Sequence, residues 1–307
     1  MPILGAHMSI CGGFFKAVER AKEAGCDCVQ IFTSAPQRWP VTIPPESVQS
    51  DGSLTKSNNQ WRAKEITDAE TGQFQATLAE LNIVAPLSHS SYLINLAAPD
   101  AALRQKSIDA FIVELQRAEQ LGISYVVLHP GSYTTTSEEA GLEAIIDSLN
   151  EVHQKTAGIQ SMCLLENTAG QGSNLGWQFE QLATLIIGVD EPQRLGVCFD
   201  TCHALASGYP LGSQDEYNQT MATLDKHVGL DSVKAIHLND SKRELGSRVD
   251  RHEHIGQGEL GLEPFRWLLN DDRFQQTPMY LETPKGDNDD GEDWDVVNLR
   301  TLRALAG

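Results

Sequence analysis

Leu195-Gly196-Val197-Cys198-Phe199-Asp200-Thr201-Cys202-His203 is the stretch that decides the fold. A short uncharged run ends abruptly in an acid, and a histidine follows three positions later. Such a run is too short for a buried helix and reads as a strand covered on both faces, as in a parallel sheet. Working outward, similar runs recur at 3–6, 29–32, 83–87, 125–128, 162–165, 233–238 and 279–281, eight in all with 195–199. Longer amphipathic stretches follow them, near 13–24, 66–81, 100–121, 137–157, 176–187, 214–228, 261–270 and 294–305. Strands alternating with helices predict an α/β fold, and eight pairs in this length predict a TIM (β/α)8 barrel, one domain over 1–307. An open doubly wound sheet is the alternative. It is disfavoured because Gly12-Gly13 reads as a tight turn and no G-x-G-x-x-G or Walker loop is present.

The chain has 307 residues, 40% of them hydrophobic, enough for a large core. No apolar stretch reaches membrane-spanning length and the N-terminus lacks signal-peptide regions, so a cytoplasmic protein is expected, with no membrane partner. The six cysteines lack disulfide-scaffold or zinc-ribbon spacing and are read as reduced. A formal charge of −19 argues against a general nucleic-acid binder. Two segments break the strand–helix rhythm. The Pro/Ser/Thr/Gln-rich stretch about 39–58 reads as a loop inserted after the second strand. The stretch 241–260 carries Lys242, Arg243, Arg248 and Arg251, a local positive charge in an acidic chain.

The ends of the apolar runs carry the chemistry. They deliver His89, His129, Glu166, Asp200, His237 and Glu282, and in a barrel those ends converge on one face. One polar strand end is ordinarily a satisfied turn residue. Six in register would be costly to bury unless cations neutralise them. His203, on the turn after the sixth strand, and the Asp250-x-His252 pair raise the tally to nine, too many for one tetrahedral ion. Two or three ions are implied. Mixed imidazole and carboxylate donors favour Zn2+, with Mn2+ acceptable at one position. Four carboxylates against three divalent ions leave the mouth net positive, so an acidic surface does not bar a phosphate substrate. His153 and His227 are read as surface residues of helices, His254 and His7 as neighbours supporting the ligands.

At these residues the chain resembles the endonuclease IV family of apurinic/apyrimidinic endonucleases. The motifs are His7-Met8-Ser9, His89-Ser90-Ser91-Tyr92-Leu93-Ile94-Asn95-Leu96, His129-Pro130-Gly131-Ser132, Glu166-Asn167-Thr168-Ala169-Gly170-Gln171-Gly172, Asp200-Thr201-Cys202-His203, His237-Leu238-Asn239-Asp240, Asp250-Arg251-His252 and Leu281-Glu282-Thr283. The resemblance implies three zinc ions: one on His89 and His129, bridged by Glu166 to a second on Asp200, His237 and Glu282, and a third on His203, Asp250 and His252. It implies Glu166 and Glu282 as catalytic residues that place the attacking water, and hydrolysis of the phosphodiester 5′ of an abasic site, leaving 3′-hydroxyl and 5′-deoxyribose phosphate ends. Removal of blocking groups from 3′ ends would accompany it. Double-stranded DNA is the implied partner, the protein a monomer working at the nucleoid, with Tyr92, Leu93, Asn59 and Arg251 as DNA contacts.

The chain departs from the family pattern at two places. The family's loop ending in Trp exists twice, as Pro36-Gln37-Arg38-Trp39 and Asn58-Asn59-Gln60-Trp61-Arg62; by the second, an arginine often used to fill the base stack is Asn59 here, with Arg38 and Arg62 as substitutes. Ser90 stands where an Asp is common, which would loosen the support of His89. The competing enzyme class is a xylose-isomerase-like sugar isomerase or epimerase, which shares the barrel but has no need of His203, Asp250 and His252.

Overall fold

The computed structural model describes residues 1–34 and 65–307. The expected insertion about 39–58, Asn59 and the neighbouring Arg38 and Arg62 lie outside the described residues.

Eight parallel strands close a barrel in the order β1-β10-β7-β6-β5-β4-β3-β2. They are β1 (Leu4–His7), β2 (Cys28–Phe32), β3 (Val84–His89), β4 (Tyr125–Leu128), β5 (Met162–Glu166), β6 (Leu195–Asp200), β7 (Val233–His237) and β10 (Met279–Leu281). A two-residue ribbon, β8 (Asp240–Ser241) with β9 (His252–Glu253), stands in the connection after β7. The helices are α1 (Phe14–Glu23), α2 (Asp68–Leu81), α3 (Ala101–Leu121), α4 (Glu138–Lys155), α5 (Phe179–Gly188), α6 (Thr201–Ser207), α7 (Gln214–Val228), α8 (Glu263–Leu269) and α9 (Trp294–Leu305). Side-chain oxygens of Thr67, Asp100, Ser137 and Ser213 cap α2, α3, α4 and α7, which fixes where each chain segment turns into its helix.

The alternation of side chains along a strand explains where the site must be. The barrel interior is filled by Cys28, Leu87, Val127, Leu164, Cys198, Ala235 and Tyr280, all essentially inaccessible to solvent. Two residues further along each of these strands, with the same inward direction, stand Gln30, His89, His129, Glu166, Asp200, His237 and Glu282. The apolar plug is therefore the floor on which the polar layer rests. Outward-facing residues such as Val29, Ile31, Val126, Leu165, Val197 and Ile236 pack instead into the larger core beneath the helices.

Three expectations are corrected. Thr201 to His203 is not a turn: Asp200 accepts a hydrogen bond from the His203 amide (2.7 Å) and caps the short helix α6. The fifth helix begins at Phe179 rather than 176, because Gly176 has φ 86°, a left-handed conformation no helix residue takes. His153 is buried, not on the surface; burial and the Arg194 charge push its pKa down to about 4. His227 is half-buried beside Glu180. All six cysteines are unpaired thiols.

Candidate metal centre

Glu166 stands at the middle of the polar layer and is fully buried. Its Oε2 lies 3.3 Å from His89 Nε2 and 3.2 Å from His129 Nε2, and its Oε1 lies 3.1 Å from both His203 Nδ1 and His237 Nδ1. Burial alone would push this carboxyl up. The His237 and His129 charges, with hydrogen bonds from His129 and His203, override that and hold it well below the usual carboxylate range. Glu282 Oε2 faces His237 Nδ1 at 3.2 Å. Asp200 Oδ2 lies 3.8 Å from both His237 Nδ1 and His252 Nε2, between two groups of ligands. Asp250 closes the outer edge, 3.3 Å from His203 Nε2 and 3.4 Å from His252 Nε2.

The donor atoms fall into three constellations, each compact enough to surround one ion: His89, His129 and Glu166; Glu166, Asp200, His237 and Glu282; and Asp200, His203 and His252. The first two are the expected sets. In the third, Asp200 takes the place assigned to Asp250, although Asp250 faces both imidazoles of that group.

The imidazoles are oriented for metal binding. A carbonyl can only accept, so the ring nitrogen facing it carries the proton and the other nitrogen offers its lone pair. His89 Nδ1 donates to the Ser90 carbonyl (2.8 Å), His203 Nδ1 to the Asn167 carbonyl (2.9 Å), and His252 Nδ1 to the Glu282 carbonyl (3.1 Å). In each the nitrogen turned into the site, toward its carboxylates, is Nε2. His203 and His252 Nε2 consequently approach one another at 3.5 Å with Asp250 beyond, a contact a shared cation would resolve. The Ser90 main-chain oxygen thus contributes one support to His89.

The bed beneath the ligands is built by amides. Asn167 accepts from the Asp200 amide (2.7 Å) and donates to the Asp200 carbonyl (3.0 Å). Asn239 donates to Asp200 Oδ2 (2.6 Å) and accepts from the Glu282 amide (2.8 Å). Gln30 joins His7, His237 and Glu282. Sequence reading gave Gln30 no role. The available signal was a fully polar side chain inside the run 29–32, which a buried strand carries only for a partner.

Asp240 fastens the connection that carries Asp250 and His252. Its carboxylate accepts hydrogen bonds from the amides of Ser241, Gly256, Gly258 and Leu260, at 2.7 to 3.0 Å. Asp240→Asn leaves an NH2 facing buried N–H groups, and removal of such partners costs about 1–3 kcal/mol per unsatisfied group. The expected result is a chain that keeps its helical content but binds fewer ions, with the loss confined to the His203–His252 group; equilibrium dialysis followed by elemental analysis measures it.

The rim carries exposed aromatic, apolar and basic side chains. Tyr92 is 59% and Leu93 37% exposed, on the loop just after His89, and the Tyr92 ring leans on Phe32, His89 and His129. Lys242, Arg243, Arg248 and Arg251 are all exposed, and the Arg248 guanidinium lies 3.9 Å above the Trp177 ring. Arg251 donates to the Asp250 carbonyl. His254 stacks on Trp294 at 3.7 Å and bonds to Asn298, which pins the chain just past His252. Among the described residues no helix is long and apolar enough to cross a membrane.

A closed parallel barrel with stacked ligand sets at its C-terminal mouth defines a class, and residues 18–305 match the family model described as the xylose isomerase-like TIM barrel. A protein named "Probable endonuclease 4" from Trichlorobacter lovleyi is 47% identical over 98% of this chain and 99% of its own. One of the same name from Chloroflexus aggregans is 48% identical over 99% and 98%. The solved structure of endonuclease IV from Thermus thermophilus superposes with a TM-score of 0.79 at 35% identity, covering 99% of this chain and 98% of that one. A D-psicose 3-epimerase structure shares the fold alone, with a TM-score of 0.66 at 14% identity. The chain belongs to the endonuclease IV family, within the xylose isomerase-like TIM barrels.

Proposed function

We propose that this chain is a DNA-repair endonuclease that holds three zinc ions and hydrolyses the phosphodiester bond 5′ of abasic sites in duplex DNA. The observation that carries this reading is the third ligand group: His203 and His252 turned face to face, with Asp200 and Asp250 about them, beyond what a two-ion epimerase needs. The His89–His129–Glu166 group would hold one ion, Glu166 with Asp200, His237 and Glu282 a second. Manganese could replace zinc at one position. Such ions, when bound, acidify water and neutralise charge on a phosphate.

The chain's own residues supply the rest. Glu166 and Glu282 meet at Nδ1 of His237, 3.1 and 3.2 Å from it, and would hold the attacking water for in-line approach to phosphorus. Tyr92 and Leu93 enter the base stack beside the lesion, where no base pair has to be broken and extrusion of the sugar is least costly. Lys242, Arg243, Arg248 and Arg251 would contact the phosphate backbone, which holds the duplex but reads no sequence. Cleavage of blocked 3′ ends would use the same ligand groups. Elemental analysis of purified protein tests the reading: about three zinc ions per chain are expected, and one or two with turnover of a ketose would favour the epimerase alternative.

A further inference from the structure

Gln30 is fully buried in β2, paired in register with His7 of β1, and it is the only inward residue of the polar layer on β2 without a proposed ligand role. Its side chain touches three members of the site. His237 Nε2 stands 2.8 Å from Gln30 Oε1, Glu282 Oε1 stands 2.5 Å from Gln30 Nε2, and His7 Nδ1 stands 2.9 Å from the same nitrogen.

The carboxylate of Glu282 can only accept, so the atom facing it is the NH2 group, and the amide orientation is fixed. Its carbonyl oxygen then faces His237, whose Nε2 must carry the proton. That leaves Nδ1 of His237, 3.1 Å from Glu166 and 3.2 Å from Glu282 Oε2, as the nitrogen that gives up its proton when an ion binds; facing two carboxylates without an ion, it carries a proton as well. The second amide hydrogen goes to His7 Nδ1, which must be unprotonated there. One amide thus selects the tautomer of two histidines and occupies one oxygen of Glu282, leaving Oε2 for the site.

We infer that Gln30 is a positioning residue that presets His237, Glu282 and His7 for metal binding and hydrolysis. It reaches the reacting atoms through these three and does not touch them itself. No other inward residue could do the same: a carboxylate at 30 would face Glu282, and an apolar side chain would leave His237 free to protonate either nitrogen. The inference rests on the reading of this cluster as a metal centre, but its first consequence, the Nε2 protons of His237 and His7, does not require an ion to be bound.

Long-range proton–nitrogen NMR of the histidine rings tests it, on the zinc-loaded chain and on the chelated chain at alkaline pH. The expected spectrum has His237 protonated at Nε2 and His7 protonated at Nε2 in both. A His237 without a proton on Nε2 in either chain overturns the inference. Gln30→Met, close in length and shape, is expected to lower zinc affinity at one class of sites by about tenfold or more, as loss of an outer hydrogen-bond partner does elsewhere. An affinity within about twofold of the parent at every site also overturns it. Gln30→Glu keeps the acceptor for His237 and removes the donor to His7, so His237 should keep its tautomer while His7 moves its proton to Nδ1; an unchanged His7 counts against the assignment. A parent chain that takes up no zinc would defeat the metal-centre reading, and the ring spectra would still decide the role of Gln30.

Discussion

Glu166→Gln is expected to reduce incision by roughly a thousandfold or more, the scale on which removal of one preorganised charge acts in an active site. The substitution keeps the volume and one carbonyl oxygen, so it leaves no cavity in the buried layer. What it removes is the charge at the centre of four imidazoles, those of His89, His129, His203 and His237, each 3.1 to 3.3 Å away. Glu166 is also the sole member shared by the first two constellations. The variant should therefore bind ions more weakly at both while its circular dichroism matches the parent. Steady-state incision and zinc content, measured on one preparation, separate the two effects. A variant with parental turnover and full metal content would show that Glu166 only fills space.

Gly5→Ala should give the largest loss of stability. The position lies in β1, two residues before His7 and in register with Cys28 of β2. An added Cβ would come within 2.0 Å of the Cys28 carbonyl oxygen and 2.6 Å of its carbonyl carbon, both main chain, which cannot rotate aside. Overpacking ordinarily costs about 1–3 kcal/mol and more where the neighbour is rigid. Here the cost falls on the strand pair that also positions His7 and Gln30, so a value at or above about 3 kcal/mol is expected, with weakened metal binding alongside. Urea unfolding of the zinc-loaded protein measures it. A midpoint unchanged from the parent would mean that β1 and β2 separate more easily than this register implies.

These two sites mark where the sequence was readable and where it was not. The strand-end ligands were legible because period-two alternation ties them to the inward residues of each apolar run: Leu164 points in, so Glu166 does. Cys198 and Asp200 follow the same rule. The rule is local and needs no knowledge of the partner strand. Gln30 obeyed it too, but a glutamine has no chemistry that declares itself; its meaning comes from His7, His237 and Glu282, which lie 23, 207 and 252 residues away in the chain. Helix α6 was missed because seven residues carry too little periodicity, and what makes it a helix is a cap supplied by the ligand Asp200. His153 was misread for a different reason. Its helix pattern shows which face is apolar but not that Arg194 and the 190–194 segment cover the polar edge of that face.

The assignment of ligands to the third group shows a further limit of linear spacing. Asp250 and His252 are neighbours in sequence and were naturally paired, yet Asp200, fifty residues earlier in chain order, also comes within 3.8 Å of His252 Nε2, against 3.4 Å for Asp250. Carboxylates on either side of that imidazole pair can both serve one ion. The ribbon of β8 and β9, held by Asp240, decides how near Asp250 comes.

The most direct test of the central claim is incision of a duplex oligonucleotide carrying one abasic-site analogue, labelled at its 5′ end, by the zinc-loaded chain. The account predicts a single cut on the 5′ side of the lesion, an extendable 3′-hydroxyl on the labelled fragment, and loss of cutting after chelation with return on adding zinc. A fully metallated chain that leaves the duplex intact, or cuts it with equal ease away from the lesion, would contradict it.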